Sequence, residues 1–326
     1  MSTPILQVRN FHVYYHTERG AVKAVDNVSF DLEQGMRLGL VGESGCGKST
    51  LAMGLIRLIR PPGRVESGQA ILDGIDLVKL TEEEMRRARL RLISLIPQGA
   101  MNSLNPVMRV RDQIIDGIRD HAEDVKMSMS PSALEDRVHE VLAAVDLGRD
   151  VANMFPHELS GGMKQRVCVA IAISLQPKVI IADEPTSALD VVVQRQVMET
   201  IKRLQESMGI SVILIGHDMG LMAQSVERLV VMYAGRAVEI ASIRDIFDRP
   251  RHPYTQLLIS SLPTLKEKGV FRGIPGITPS LLNAPAECLF RDRCPQASEN
   301  CAGPAAELAQ VDEGHWVACH AIEIRG

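Results

Sequence analysis

The sequence predicts an α/β fold in which a largely parallel sheet is covered by helices on both faces, followed by a small Cys/Pro-rich C-terminal extension. Three observations predict it. Short apolar runs of strand character alternate with stretches of helical period, and successive parallel strands need such crossovers. One apolar run, 36–41, stops at a glycine cluster from which a helical pattern sets out. After about residue 245 the texture changes: eight of the seventeen prolines lie between Pro250 and Pro304, and four of the six cysteines between Cys288 and Cys319, which marks a separate segment.

Each element has a local reason. Segments 5–13 and 28–33 alternate as strands do, with Val28, Phe30 and Leu32 on one face. Behind the glycines, Leu51, Leu55 and Leu58 share a helical face that runs to the breaker Pro61-Pro62-Gly63. Thr81 and Glu84 form a capping box; acids lead the following helix and Arg86, Arg87, Arg89 and Arg91 trail it, as the helix dipole favours. A buried strand is expected at 92–97. Residues 99–158 are more polar and helical in period: Ser130-Pro131 starts a helix, Leu134, Val138, Val141, Leu142 and Val145 make its apolar face, and Gly148 stops it. Another helical run spans Met163 to Leu175, and strands return at 179–182, 211–215 and 229–232.

Composition narrows the function. Hydrophobic residues at 45% and charged residues at 23% describe an ordinary globular protein, and a chain of 326 residues can bury a core of its own. A net charge of −4 gives no global attraction to nucleic acid, and 3% aromatics argue against base-stacking platforms. No apolar run approaches the 18 or more residues that a spanning helix needs, and the N-terminus lacks a basic segment followed by an apolar one. A cytosolic chain is expected, in which cysteines are metal ligands or inert thiols rather than disulfides.

The chemistry concentrates in three places. Gly42, Glu43, Ser44, Gly45, Cys46, Gly47, Lys48 and Ser49, with Thr50 next, fit the P-loop pattern. Glycines let the backbone turn successive N–H groups toward phosphate oxygens, the helix start adds its positive dipole end, Lys48 neutralises the β- and γ-phosphates, and Ser49 is placed to ligate Mg²⁺. The apolar run 179–182 ends in Asp183 and Glu184, which suit an Mg²⁺ shell and a base for the attacking water. Leu159-Ser160-Gly161-Gly162-Met163 opens a helix, making a second anion-binding helix start.

In this order, these motifs make residues 5–245 resemble the nucleotide-binding subunit of an ABC transporter, a P-loop NTPase with a RecA-like core and a helical subdomain. The resemblance implies an ABC domain over 1–245, with its helical subdomain at about 99–165, and an extension over 246–326. It implies that Gly42 to Ser49 are Walker A, Asp183 ends Walker B, and Glu184 is the catalytic base. Gln98 matches the Q-loop that senses Mg²⁺ and contacts membrane subunits. Ser160, Gly161 and Gly162 match the signature that grips the γ-phosphate of ATP held by a partner, Ser187 to Asp190 match the D-loop, and His217 matches the switch histidine. Tyr15 is the expected adenine-stacking residue, with Tyr14 beside it as the alternative. Met163 stands where many members have Gln, a variation associated with the peptide-importer branch.

Arg251-His252-Pro253-Tyr254-Thr255, Leu262-Pro263, Ile274-Pro275-Gly276 and Arg293-Cys294-Pro295 resemble the C-terminal extension of dipeptide- and oligopeptide-type importer ATPases. Cys288, Cys294, Cys301 and Cys319 offer all-sulfur coordination suited to zinc or an iron–sulfur cluster, without the Cys-x-x-Cys of a zinc ribbon; the resemblance points to 4Fe–4S. The resemblance therefore implies an ATPase at the cytoplasmic face of the cell membrane that powers uptake of short peptides. Its partners would be a second ABC ATPase subunit, expected to be a paralogue, two separate permease subunits, and through them an extracytoplasmic solute-binding protein, with no nucleic acid. Importers of nickel, glutathione or other peptide-like solutes, and a soluble ABC ATPase, are the competing readings.

Overall fold

The computed structural model describes residues 3–99, 103–124, 127–187, 189–262 and 273–322; Pro263 and Ala188 lie outside them. In chain order the strands are β1 (Leu6–Thr17), β2 (Gly20–Leu32), β3 (Arg37–Val41), β4 (Gly63–Leu72), β5 (Ile75–Asp76), β6 (Ile93–Ile96), β7 (Val179–Asp183), β8 (Ser211–Ile215), β9 (Arg228–Tyr233), β10 (Arg236–Ser242), β11 (Ala309–Asp312) and β12 (His315–Val317). The α-helices are α1 (Lys48–Leu55), α2 (Glu82–Ala88), α3 (Val110–Arg119), α4 (Pro131–Ala144), α5 (Gly161–Ala172), α6 (Val191–Met208), α7 (Met219–Ser225), α8 (Ile243–Asp248) and α9 (Pro253–Ser260). They fall into two compact units.

The first unit comprises Met1–Ile5, Glu33–Met36 and Lys79–Ile215. Its sheet is parallel, with Ile93 of β6 opposite Val179 of β7 and Val179 opposite Ser211 of β8. All five residues of β7 are buried, as a strand covered on both faces requires, and each buried aliphatic side chain there contributes about 1.5–3 kcal/mol. α3, α4 and α5 pack on one another, and buried Arg137 of α4 donates to the carbonyls of Ser174 (2.9 Å) and Ile173 (3.2 Å) past the end of α5. The expected caps form: Thr81 Oγ1 accepts from Glu84 N at 3.2 Å while Thr81 N donates to Glu84 Oε2 at 2.7 Å, and Ser130 caps Ala133 ahead of Pro131. Two helix ends differ from expectation. α4 stops at Ala144 because Asp146 turns left-handed (φ 57°), and Gly148 instead opens the following 3₁₀ turn. α5 starts at Gly161, ahead of Met163, and is over before Leu175.

The second unit comprises Leu6–Leu32, Arg37–Val78 and Gly216–Gly326. One antiparallel sheet runs β2-β1-β4-β5, and α1 packs on it. The other set pairs β3 with β9 in parallel, then β9 with β10, β10 with β12 and β12 with β11, all antiparallel. β2 is far longer than the expected 28–33, and β4, β5 and β10 to β12 were not expected at all. β4 begins at Gly63, which reads as part of a breaker; further along it Gly68 has φ 106° and lies where a Cβ would sit 2.4 Å from the Asn10 carbonyl oxygen. α1 ends at Leu55, so Leu58 lies beyond the helix, 42% exposed, after Arg57 takes a left-handed turn.

Candidate functional site

β3 delivers the chain, buried from Leu38 to Val41, directly into the glycine loop. Three of its glycines have positive φ: Gly42 at 148°, Gly45 at 78° and Gly47 at 103°. Two have no room for a side chain, since a Cβ at Gly42 would lie 2.1 Å from the Met232 carbonyl oxygen and one at Gly47 2.1 Å from that of Ala24. Gly47 is the N-cap of α1 without a side-chain cap, so the first N–H groups of that helix depend on an external acceptor. Lys48 is buried and donates to the carbonyls of Gly42 (2.7 Å) and Glu43 (3.0 Å). Ser44, Gly45 and Ser49 are exposed and Thr50 half-buried. Cys46 is buried, and desolvation pushes its thiol pKa up despite the nearby Lys48 ammonium, which suits an inert thiol.

The two tyrosines of β1 are differently engaged. Tyr14 Oη donates to Asp26 Oδ1 at 2.6 Å, and Arg236 donates to Asp26 Oδ2 at 2.9 and 2.6 Å. Burial and the Asp26 bond raise the Tyr14 pKa; for Asp26 burial works upward, but Tyr14 and Arg236 outweigh it and the net shift is down. Tyr15 is half-buried, its ring lying against Gly63, where a Cβ would come within 2.6 Å of the ring. In the same unit His217 is exposed, and the next residue, Asp218, caps α7 by accepting from Leu221 N at 3.0 Å.

In the first unit, Asp183 closes β7 and is 5% exposed. Glu184 follows in a left-handed conformation (φ 45°), an unusual state for a non-glycine residue that collects at functional positions. Its N–H bonds the Ile215 carbonyl at 3.0 Å, and its Oε2 accepts from exposed Gln98 Nε2 at 2.9 Å, which brings two of the expected residues together. Ser187 Oγ donates to the Glu184 carbonyl at 3.0 Å. Ser160 caps α5 by accepting from Met163 N, so the first-turn amides belong to Gly161 and Gly162. Gly162 is in contact with α6, a Cβ there falling 2.5 Å from Val193 Cγ1, and Asp190 caps α6 through Val192 N and Val193 N, both at 3.0 Å.

Cys288, Cys294, Cys301 and Cys319 all line one cavity of about 780 Å³ in the second unit. They do not form a single-ion site: among the described residues no group of three or more His, Cys, Asp or Glu is arranged to hold a metal ion. Burial raises the thiol pKa of Cys288, Cys294 and Cys319, and neighbouring thiols add to the effect.

One constellation escaped sequence reasoning. Glu43, the second residue of the glycine loop, is held by three residues of the C-terminal region. Its N–H donates to Tyr254 Oη at 2.9 Å; its carboxylate accepts both arms of the Arg293 guanidinium, at 2.7 and 2.9 Å, and the Thr278 hydroxyl at 3.1 Å. The Arg293 bonds, against the opposing effect of burial, hold the Glu43 carboxyl below the ordinary glutamate range. The separation of 250 residues hides the pair from any local pattern.

Comparison with known proteins adds to this geometry. Residues 25–187 match the family model described as ABC transporter, and residues 238–301 match oligopeptide/dipeptide transporter, C-terminal region. The chain is 40% identical to the dipeptide transport ATP-binding protein DppD of Haemophilus influenzae, over 97% of this chain and 95% of that one. It is 40% identical to the oligopeptide transport ATP-binding protein OppD of Bacillus subtilis, over 97% and 88%. The dimeric structure of MJ0796, a bacterial ABC transporter cassette, superposes with a TM-score of 0.64 at 27% identity, covering 73% of this chain and 99% of that one.

Proposed function

Since the chain belongs to the ABC transporter family of ATP-binding proteins, we propose that it is the ATP-hydrolysing subunit of an importer of dipeptides or oligopeptides. The observation that carries this reading is the joining, in one chain, of a backbone phosphate cradle ending in Lys48 to a C-terminal region of the oligopeptide/dipeptide type. Among the described residues no helix is long and apolar enough to cross a membrane, so the peptide path is assigned to separate permease subunits. The chain would then sit peripherally at the cytoplasmic membrane face, the helical segment at about 99–165 being the part that docks.

The residue roles follow the chemistry. The amides of Gly45, Cys46, Gly47, Lys48, Ser49 and Thr50 would cradle phosphate oxygens, with the loop shaped by Gly42 and Ser44. Ser49, Asp183 and Gln98 would hold Mg²⁺, which supplies charge neutralisation on the phosphates; their all-oxygen donor set suits that hard cation. Glu184 would accept the proton of the attacking water, and His217 would sense the γ-phosphate. Tyr15 is assigned to adenine because Tyr14 is committed to Asp26. Ser160, Gly161, Gly162 and Asp190 would serve ATP bound by a second ATPase subunit, here proposed to be a paralogue; the exposed Val191 and Val192 beside Asp190 favour such a partner.

Cys288, Cys294, Cys301 and Cys319 would hold a 4Fe–4S cluster with a structural or regulatory role. A common cavity and an all-thiol donor set support it, and binding would have to displace the protons that the raised thiol pKa values retain. Anaerobic purification should give broad absorbance near roughly 400 nm and about four irons per chain; zinc-loaded or metal-free protein would refute it.

The transport reading is tested by a mild-detergent pull-down of the tagged chain from native membranes, with co-purifying chains identified by mass spectrometry. Two permeases with a sister ATPase and a solute-binding protein are expected. Recovery of ribosomal or DNA-associated proteins instead would overturn transport and leave only the ATPase.

A further inference from the structure

We propose that the C-terminal region tethers the phosphate loop through Glu43, with Arg293 and Tyr254 as positioning residues for ATP binding. This rests on the ATPase reading above. The tether fixes Glu43 at both ends. Tyr254 Oη takes its backbone N–H, and Arg293 grips its carboxylate in a two-armed pair whose arginine side chain is only 5% exposed, so solvent screens it little. The Glu43 carbonyl in turn receives Lys48 Nζ at 3.0 Å. The residue that helps set where the phosphate-neutralising lysine rests is therefore positioned by side chains more than two hundred residues away in sequence.

The anchor is rigid. Arg293 also donates to the carbonyls of Pro275 (2.8 Å) and Ile274 (3.2 Å), and to Tyr233 Oη (3.2 Å). Gly276 has φ 84°, and a Cβ there would come within 2.9 Å of Arg293 Cγ, so the Ile274-Pro275-Gly276 turn is shaped around the arginine. Tyr254 is fully buried, with its ring centroid 4.7 Å from that of Tyr233 and 5.4 Å from that of Phe290. Its helix start is pinned by the buried Glu239 carboxylate, which accepts from Arg251 N (2.7 Å), His252 N (2.9 Å) and His315 Nε2 (2.7 Å). Three C-terminal motifs that the nucleotide chemistry leaves unused thus converge on one residue of the loop.

The test measures the Kd of a fluorescent ATP analogue, and kcat and KM for MgATP, on the full-length chain well below its unfolding temperature. The variants are Tyr254→Phe, Arg293→Lys, Glu43→Gln and the Arg293→Lys/Glu43→Gln double variant. Tyr254→Phe removes only the hydroxyl and keeps the ring packed. Ile246→Ala is the control: it empties buried space in α8 and removes no hydrogen bond of the loop or of its anchor. The tether predicts that Arg293→Lys and Glu43→Gln each weaken ATP binding about tenfold with kcat changed less than about twofold, the double variant being no worse than either single one. Tyr254→Phe should weaken binding about threefold, and Ile246→Ala should lower the unfolding temperature without moving Kd. A merely structural contact would make Kd track stability, so that Ile246→Ala moved it as much as the others; that result, or unchanged Kd in Arg293→Lys and Tyr254→Phe, overturns the tether. Wild-type protein that failed to bind ATP would remove the ATPase reading itself.

Discussion

The glycine loop and the C-terminal region make their contributions by opposite means. At Gly42 and Gly47 the backbone itself is the proposed phosphate ligand, and side chains are excluded by carbonyl oxygens that would lie 2.1 Å from a Cβ. At Tyr254, Thr278 and Arg293 the side chains are what matter, each reaching a residue remote in sequence. Backbone function imposes residue types at fixed spacing, whereas side-chain function imposes only a meeting point in space. The two carboxylates proposed for Mg²⁺ and for the general base are likewise set by local sequence, since β7 ends at buried Asp183 and Glu184 follows it.

The largest effect should come from a side chain that touches the reaction. Glu184→Gln should lower ATP hydrolysis by about 10²–10⁴, the usual contribution of a general base, while leaving ATP affinity near wild type. Glutamine can still accept from Gln98, so the contact at 2.9 Å has a replacement. Near-normal turnover measured by phosphate release would take Glu184 out of the proposed mechanism.

A smaller effect tests the backbone side of the comparison. Gly47→Ala must either hold an L-residue at φ 103° or move the loop away from the Ala24 carbonyl. Backbone strain of about 1–3 kcal/mol corresponds to a loss of ATP affinity of roughly five- to 150-fold if it is relieved by moving the loop. Gly45→Ala is the contrast, because a Cβ there meets no atom within 4 Å and only the positive φ opposes it. Equal nucleotide affinities for the two variants, by fluorescence titration, would show that the close approach at Gly47 is unimportant.

These contrasts explain what was legible in the sequence. The P-loop, β7 with its acids and the caps at Thr81 and Ser130 were readable because each is enforced by neighbours within a few residues. β4 was not, because it opens at Gly63, which reads as a breaker, and its Gly68 has a place only against the Asn10 backbone. β12 was not, because three residues centred on Trp316 become a strand through pairing with Ile240 on one side and Gln310 on the other. Arg251-His252-Pro253-Tyr254 was readable as a motif but not as a device: only the fold brings Tyr254 to Glu43 and Glu239 to the backbone at Arg251 and His252.

The smallest predicted effect sharpens the comparison from the C-terminal side. His252 is 2% exposed and caps α9, its Nδ1 accepting from Tyr254 N at 3.0 Å. Burial lowers its pKa from 6.5 to about 4, Glu239 opposing only in part. The folded chain thus keeps this imidazole neutral at pH values where the unfolded chain protonates it. Above about pH 6.5 both states are neutral and His252 adds no pH dependence; between 6.5 and about 4 the unfolded state binds the extra proton and stability falls with falling pH. At pH 5.5 the loss is about 1.4 kcal/mol. His252→Asn retains a cap acceptor without a titrating group, so urea unfolding of the two proteins should run with different pH slopes below 6.5 and with the same slope above it. Parallel slopes throughout would mean that protonated His252 is accommodated in the fold, and that the anchor of α9 is less closed than the helix cap and the Glu239 bonds imply.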